Sequence, residues 1–276
     1  MALADRTAAA INQFLWDAGR GVYVDARRRG VQSRRVSQQA NALAIACGVA
    51  PGERWASILG AILDEERLVL TQTGDSDPHV APFDEAWQVV MAQPFVCHHL
   101  HRSLSMAGEH GALLENIRRR WGPWIASGEP TFWELWQLGD ATSTCHAWSA
   151  TPTFDLSTAV LGIAPITPGF QRFRVAPHPA GLAWAEGSFP IPYGDIAVTW
   201  RQAADRFELT LTTPAGAVAE VELPASPAPA GWQRVEVDGS ATTATTLELR
   251  PGTHRIVAFT AAAASASSRI ERICTN

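Results

Sequence analysis

The chain has 276 residues, a formal net charge of −5, and 46% hydrophobic against 18% charged residues. That length supports one large domain or two with a sizeable core, and the balance excludes a disordered chain. It shows no basic stripe for nucleic acid and no apolar run near the roughly 18 residues of a membrane span. Met1-Ala2-Leu3-Ala4-Asp5-Arg6 lacks a basic segment leading into an apolar one, so a soluble, cytoplasmic protein is expected.

Residues 4–18 carry Ala8, Ile11, Phe14 and Leu15 at helical spacing, with Gly19 and Gly21 as terminators. Gly21–Asp25 reads as a short extended piece, and the Arg-rich run 27–35 as a solvated connection. Ser37 is placed to cap a helix whose stripe is Ala40, Leu43, Ala44 and Cys47, ending at Gly48. Pro51 opens the next helix, which turns Trp55, Ile58, Leu59 and Ile62 inward. The two form an αα-hairpin. The polar segment 72–82 is expected to be a loop, with helical sequence over Ala86–Met91, Phe95–Met106 and Ala112–Ala126, the last closed by Gly128. His146 is expected to begin or precede a further helix carrying Phe154, Leu156, Val160 and Leu161, broken early by Pro152.

Beyond Pro165 the pattern changes to short period-two runs punctuated by proline, such as Phe170–Val175, Ile196–Trp200, Phe207–Leu211, Ala217–Leu223, Val235–Val237, Leu247–Leu249 and Ile256–Phe259. Asp238-Gly239 and Pro251-Gly252 supply turns, which makes this part a compact antiparallel sandwich. The expected organisation is helical hairpins over 1–165, a β-sandwich over 166–260 and a poorly ordered Ala/Ser-rich tail over 261–276. Cysteines 47, 97, 145 and 274 have no C-x-x-C spacing, so reduced, buried thiols are expected in place of a disulfide framework.

Chemistry concentrates in Thr131-Phe132-Trp133-Glu134-Leu135-Trp136 and Ser143-Thr144-Cys145-His146-Ala147-Trp148. Indoles offer flat apolar walls with an N–H handle that suit the C–H faces of a sugar ring. The excess of 11 Trp over 2 Tyr points the same way, although buried structural Trp would give the same count. A carboxylate enclosed by such walls loses water and shifts upward toward the range of acid–base catalysts. The structural alternative makes the indoles core residues and Glu134 a local cap or pair. Asp84, Glu85 and Asp140 are lesser candidates, better explained as turn or helix-start acids. His98-His99-x-His101 has a metal-like look, but neighbours on a helix point apart and no further ligands stand at zinc spacing. No metal or organic cofactor is expected.

Together, Thr131-Phe132-Trp133-Glu134, Cys145-His146-Ala147-Trp148-Ser149-Ala150-x-Pro152 and Val160-Leu161-Gly162-Ile163 with Pro168-Gly169-Phe170 resemble the bacterial α-L-rhamnosidases of glycoside hydrolase family 78. Gln39–Ala44, Arg119-Arg120-Trp121-Gly122 and Gly187-x-x-Pro190-x-Pro192-x-Gly194-x-Ile196-x-Val198-x-Trp200 extend the resemblance over about residues 10–225. It implies the C-terminal part of an (α/α)6 barrel followed by a β-sandwich, and inverting hydrolysis of terminal α-L-rhamnosides. By the same resemblance Glu134 falls at the general-base position and His146 and Trp148 at sugar contacts, and the neighbouring Trp133 and Trp136 are expected sugar contacts from their indole walls. The family's general acid sits in an upstream Asp-Cys-Pro motif that these residues lack, so autonomous catalysis is in doubt. A missing N-terminal part, or homodimerisation, would then complete the ring. The competing expectations are a non-catalytic carbohydrate-binding or scaffold protein and an unstable fragment with apolar helix faces uncovered.

Overall fold

The computed structural model describes residues 2–71, 84–137 and 142–261, so the 72–82 loop, Asp140, Cys274 and nearly all of the tail lie outside the described residues. The chain forms two compact units, Met1–Thr151 and Pro152–Asn276. Helices and antiparallel sheets both contribute, the helices mainly to the first unit.

In the first unit α1 (Leu3–Phe14) stops four residues before the expected end. Trp16–Asp17 (β1) pairs instead with Val22–Tyr23 (β2). Asp17 Oδ1 accepts the N–H groups of Gly19 (3.0 Å) and Arg20 (3.1 Å), and Gly21 takes φ 68°, so the turn outcompetes another helical turn. The Arg-rich run is a hairpin, not a plain loop: β3 (Arg27–Arg28) meets β4 (Val31–Gln32) across Arg29 and Gly30, both at positive φ.

Ser37 caps α2 (Gln38–Ala46) as expected, its Oγ accepting the Ala40 N–H at 3.3 Å. Gly48 (φ 68°) then donates to Ile45 O and releases the chain into α3 (Trp55–Ile62). Ala86–Met91 is not helical. Asp84 closes one turn, its O accepting Gln88 N–H at 2.7 Å, and β-branched Val89–Val90 (β6) pairs in parallel with Leu68–Val69 (β5). α4 (Cys97–Met106) and α5 (His110–Ala126) follow, and Gly128 (φ 76°) ends the latter. Ile45, Ile58, Ile62, Leu100, Leu104 and Leu113 are fully buried. Cys97 is buried, whereas Cys47 and Cys145 are exposed, correcting the expectation for those two. Cys47 caps α2 on the side facing away from that core.

At the junction of the units α6 (Thr151–Asp155) runs on into a π-helical turn over Leu156–Val160; Pro152 sits in the first turn, where its missing N–H costs nothing. The second unit contains a four-stranded sheet of β7 (Ile163–Pro165), β8 (Arg172–Val175), β12 (Val218–Glu222) and β15 (Thr246–Leu249), ordered β15-β12-β8-β7. A six-stranded sheet contains β9 (Trp184–Ile191), β10 (Gly194–Gln202), β11 (Arg206–Thr213), β13 (Arg234–Val237), β14 (Ser240–Thr242) and β16 (Gly252–Phe259), ordered β14-β13-β16-β11-β10-β9. Among the described residues of this unit the strand pairings are antiparallel except that of β8 with β12. Alternate residues are buried along two of the inner strands: Ile196, Val198 and Trp200 on β10, Phe207, Leu209 and Leu211 on β11. β9 was not foreseen, because Pro190 breaks its pattern; it is an edge strand, where proline is tolerated. The Val160 carbonyl accepts the Trp200 indole N–H at 2.9 Å, which ties the π-helical turn to β10.

Candidate active site

The site grows out of the C-terminal half of α5. Trp121 and Trp124 point into the core there, and the backbone leaving the helix folds Phe132, Trp133 and Trp136 over them. The Trp136 ring meets Trp121 edge-on at 4.9 Å and lies 5.3 Å from Trp124, which is also 5.2 Å from Trp133. Aromatic pairs in these geometries add roughly 0.5–1.5 kcal/mol each beyond area burial. Both N–H handles are committed: Trp136 Nε1 donates to Ala92 O (2.7 Å) and Trp133 Nε1 to Glu129 Oε2 (3.3 Å). The expected enclosure of Glu134 between two indoles is therefore corrected. Both rings turn into the core, and the Glu134 side chain keeps 35% of its exposure.

What the fold does bring to Glu134 is the second stretch. Glu134 N–H donates to Ser143 O and His146 N–H to Phe132 O, each at 2.9 Å, so the two stretches run alongside each other like a short ladder. Thr131 Oγ1 adds a bond to Thr144 O at 2.6 Å. Glu134 Oε2 accepts the Ser143 N–H at 3.3 Å and stands 4.0 Å from His146 Nδ1. That last distance is an ion-pair separation, too long for a hydrogen bond. The His146 ring packs 4.3 Å from Trp148, and Trp148 lies 4.7 Å from Phe95. Trp148 and Phe95 are both about half exposed, at 52% and 46%. Beneath them the buried Trp121 indole donates to Ser149 O at 2.9 Å, which pins the loop carrying His146 to α5.

The five residues singled out from sequence thus divide. His146 neighbours both Glu134 and Trp148, whereas Trp133 and Trp136 act from below as packing. A partly exposed carboxylate beside an imidazole and an indole can orient water, exchange a proton and seat an apolar sugar face. Phe95 was missed, because Phe95 reads as one more apolar residue of a helix when it in fact precedes α4 in a short 3-10 turn.

The lesser candidates have local partners. Asp84 Oδ1 accepts Ala86 N–H (2.9 Å), and Glu85 pairs with Arg35 (2.9 Å). His101 is fully buried against Asn116 Oδ1 (2.9 Å) and His98 Nδ1 lies 3.4 Å from Thr151 Oγ1. Burial, with His98 and Arg102 adding to it, pushes the His99 imidazole below its usual range. Among the described residues no group of three or more His, Cys, Asp or Glu is placed to hold a metal ion, and no helix is long and apolar enough to cross a membrane.

Residues 162–238 match the family described as the bacterial alpha-L-rhamnosidase C-terminal domain. An alpha-L-rhamnosidase of Alteromonas sp. (strain LOR) is 32% identical over 111 residues, covering 37% of this chain and 12% of that protein. One from Streptomyces avermitilis is 29% identical over 115 residues, covering 38% and 11%. Among solved structures, the GH78 family rhamnosidase of Bacillus sp. GL1 superposes with a TM-score of 0.65 at 31% identity, over 80% of this chain and 22% of that one. The Streptomyces avermitilis alpha-L-rhamnosidase complexed with L-rhamnose gives a TM-score of 0.65 at 21% identity, over 92% of this chain and 24% of that one, a likeness of fold. The chain thus spans about one eighth of the first curated relative, 12%. By these matches the chain is a homologue of the family-78 α-L-rhamnosidases, which are glycoside hydrolases, and it corresponds to their C-terminal region.

Proposed function

We propose that the chain serves an α-L-rhamnosidase-type glycoside hydrolase acting on terminal α-L-rhamnosides with inversion. In this reading the helical unit is part of an (α/α)6 barrel and the two sheets form its companion β-sandwich. Glu134 is the general base: its free carboxylate oxygen takes a proton from a water molecule as the water oxygen attacks the anomeric carbon. His146 orients that water or a ring hydroxyl, and Trp148 receives the apolar face of the sugar. Trp133 and Trp136 hold the floor of the site.

Inversion also needs a carboxylic acid on the opposite side of the sugar, about 6.5–9.5 Å from the base, to protonate the leaving oxygen. The upstream motif that carries that acid in the family is not among these 276 residues, and no residue described here is assigned that role. The observation that carries the proposal is the Glu134–His146 pair, 4.0 Å apart and framed by a half-exposed indole.

The test is release of p-nitrophenol from p-nitrophenyl α-L-rhamnopyranoside by the purified chain and its Glu134→Gln variant. If the chain turns over, the variant is expected to lose about 10²–10⁴-fold in rate, the usual worth of a positioned acid or base. Turnover that survives the substitution refutes the base assignment. L-rhamnose binding without turnover favours a carbohydrate-binding or scaffold role, and neither binding nor turnover removes the sugar reading.

A further inference from the structure

The four residues Ala92–Phe95, which lead into α4, touch both stretches of the candidate site. Ala92 O accepts the Trp136 indole N–H at 2.7 Å. Gln93 Oε1 accepts the Trp136 backbone N–H at 3.1 Å, two residues from Glu134. Phe95 lies 4.7 Å from Trp148, two residues beyond His146. The segment is itself anchored. Ala92 N–H donates to Gln38 Oε1 at 2.8 Å, and Gln38, buried on α2, donates Nε2 to Ile62 O at 2.7 Å at the end of α3. Pro94 is buried as well, which holds Gln93 and Phe95 on a stiff backbone between them.

The carboxylate and the imidazole sit on irregular backbone, where a small displacement changes their separation at little cost. Catalytic groups need to be held to within about half an ångström, and loops hold them less well than packed elements do. A continuous path of satisfied polar contacts supplies that constraint here: Ile62 O to Gln38, Gln38 to Ala92, then Ala92 and Gln93 to Trp136. The Phe95 ring supplies the corresponding constraint on the other side.

We infer that Gln93 and Phe95 are positioning residues, Gln93 for Glu134 and Phe95 for the His146–Trp148 pair, and that together they set the spacing of the carboxylate and the imidazole. This rests on the reading of that pair as sugar-handling and adds what holds it in register. Neither residue need touch the substrate.

The test uses the full chain with Gln93→Met, which keeps the bulk and removes the acceptor, and Gln93→Glu, which keeps an acceptor. Amide hydrogen exchange and calorimetric affinity for L-rhamnose are the two readouts. Gln93→Met is expected to speed exchange of the Glu134 and His146 amides and to weaken rhamnose binding, each by about three- to tenfold, the worth of one net hydrogen bond. Gln93→Glu is expected to restore both toward the parent. Phe95→Leu is expected to weaken binding by a similar factor with an unchanged melting temperature. Parent-like exchange and affinity in Gln93→Met overturn the inference, as does exchange that speeds equally across α2 and α3, the mark of a general stabilising role. A parent that binds no rhamnose, with the same two amides loosened in Gln93→Met, leaves the positioning role standing and refutes the sugar reading alone.

Discussion

Replacing Trp121 with Phe separates the two jobs that this side chain performs. The ring is 1% exposed and packs against Trp136 (4.9 Å) and Trp124 (6.4 Å), while its Nε1 donates to Ser149 O at 2.9 Å. Phe keeps most of the packing but loses the donor. Ser149 is fully buried, so its carbonyl is left without that bond, at about 1–3 kcal/mol. The vacated part of the indole leaves a void worth roughly 1 kcal/mol more. A total near 3 kcal/mol translates into a fall of about 6–12 °C in melting temperature for a unit of this size. Circular dichroism at 222 nm reads the helical unit directly. Trp184→Phe, on the edge strand β9 where the ring is 54% exposed, is the control and is expected to stay within about 0.5 kcal/mol. A fall of less than 2 °C in Trp121→Phe, or one no larger than the control's, would refute the reasoning that the indole N–H pins the His146 loop.

Gly162→Ala is expected to cost at least about 3 kcal/mol, because Gly162 sits at φ 79° and an added Cβ would overlap the Ala176 backbone. A variant that melts with the parent refutes that account of the β7–β8 approach. Asp25 tests electrostatics in the first unit. Burial pushes its carboxyl above the ordinary value, against bonds from Ser37 N–H (2.9 Å) and Oγ–H (2.6 Å) that favour the charged form. A carboxyl raised in the folded state makes ionised Asp25 destabilising at neutral pH, and the penalty is relieved as pH falls through the folded-state value. Asp25→Asn keeps the acceptor for both Ser37 bonds, so its melting temperature is expected to exceed the parent's at pH 7, with the gain shrinking toward pH 4. A lower melting temperature at pH 7 would show that attraction to Arg35 outweighs the desolvation.

The relation between sequence and site is uneven. Ser37, Gly48 and Gly128 announced helix ends through backbone requirements that are strictly local, and the alternation along 196–200 and 207–211 announced half-buried strands. The chain brings Glu134 and His146 together over only twelve positions, so their partnership was visible once both were suspected. Val89–Val90 was read as helix because its partner Leu68–Val69 is remote in sequence. β9 was hidden because only its place at a sheet edge excuses Pro190.

By itself, then, the sequence determined where the chain turns, which faces are apolar, and which carboxylate and imidazole are close enough along the chain to meet. The tertiary structure decided which way each side chain faces. Trp133 and Trp136 flank Glu134 in sequence yet turn into the Trp121–Trp124 core, since burying indole area outweighs walling a partly solvated acid. Gln93 and Phe95 reach the site through contacts spanning about forty to fifty residues, and no local pattern records contacts of that range.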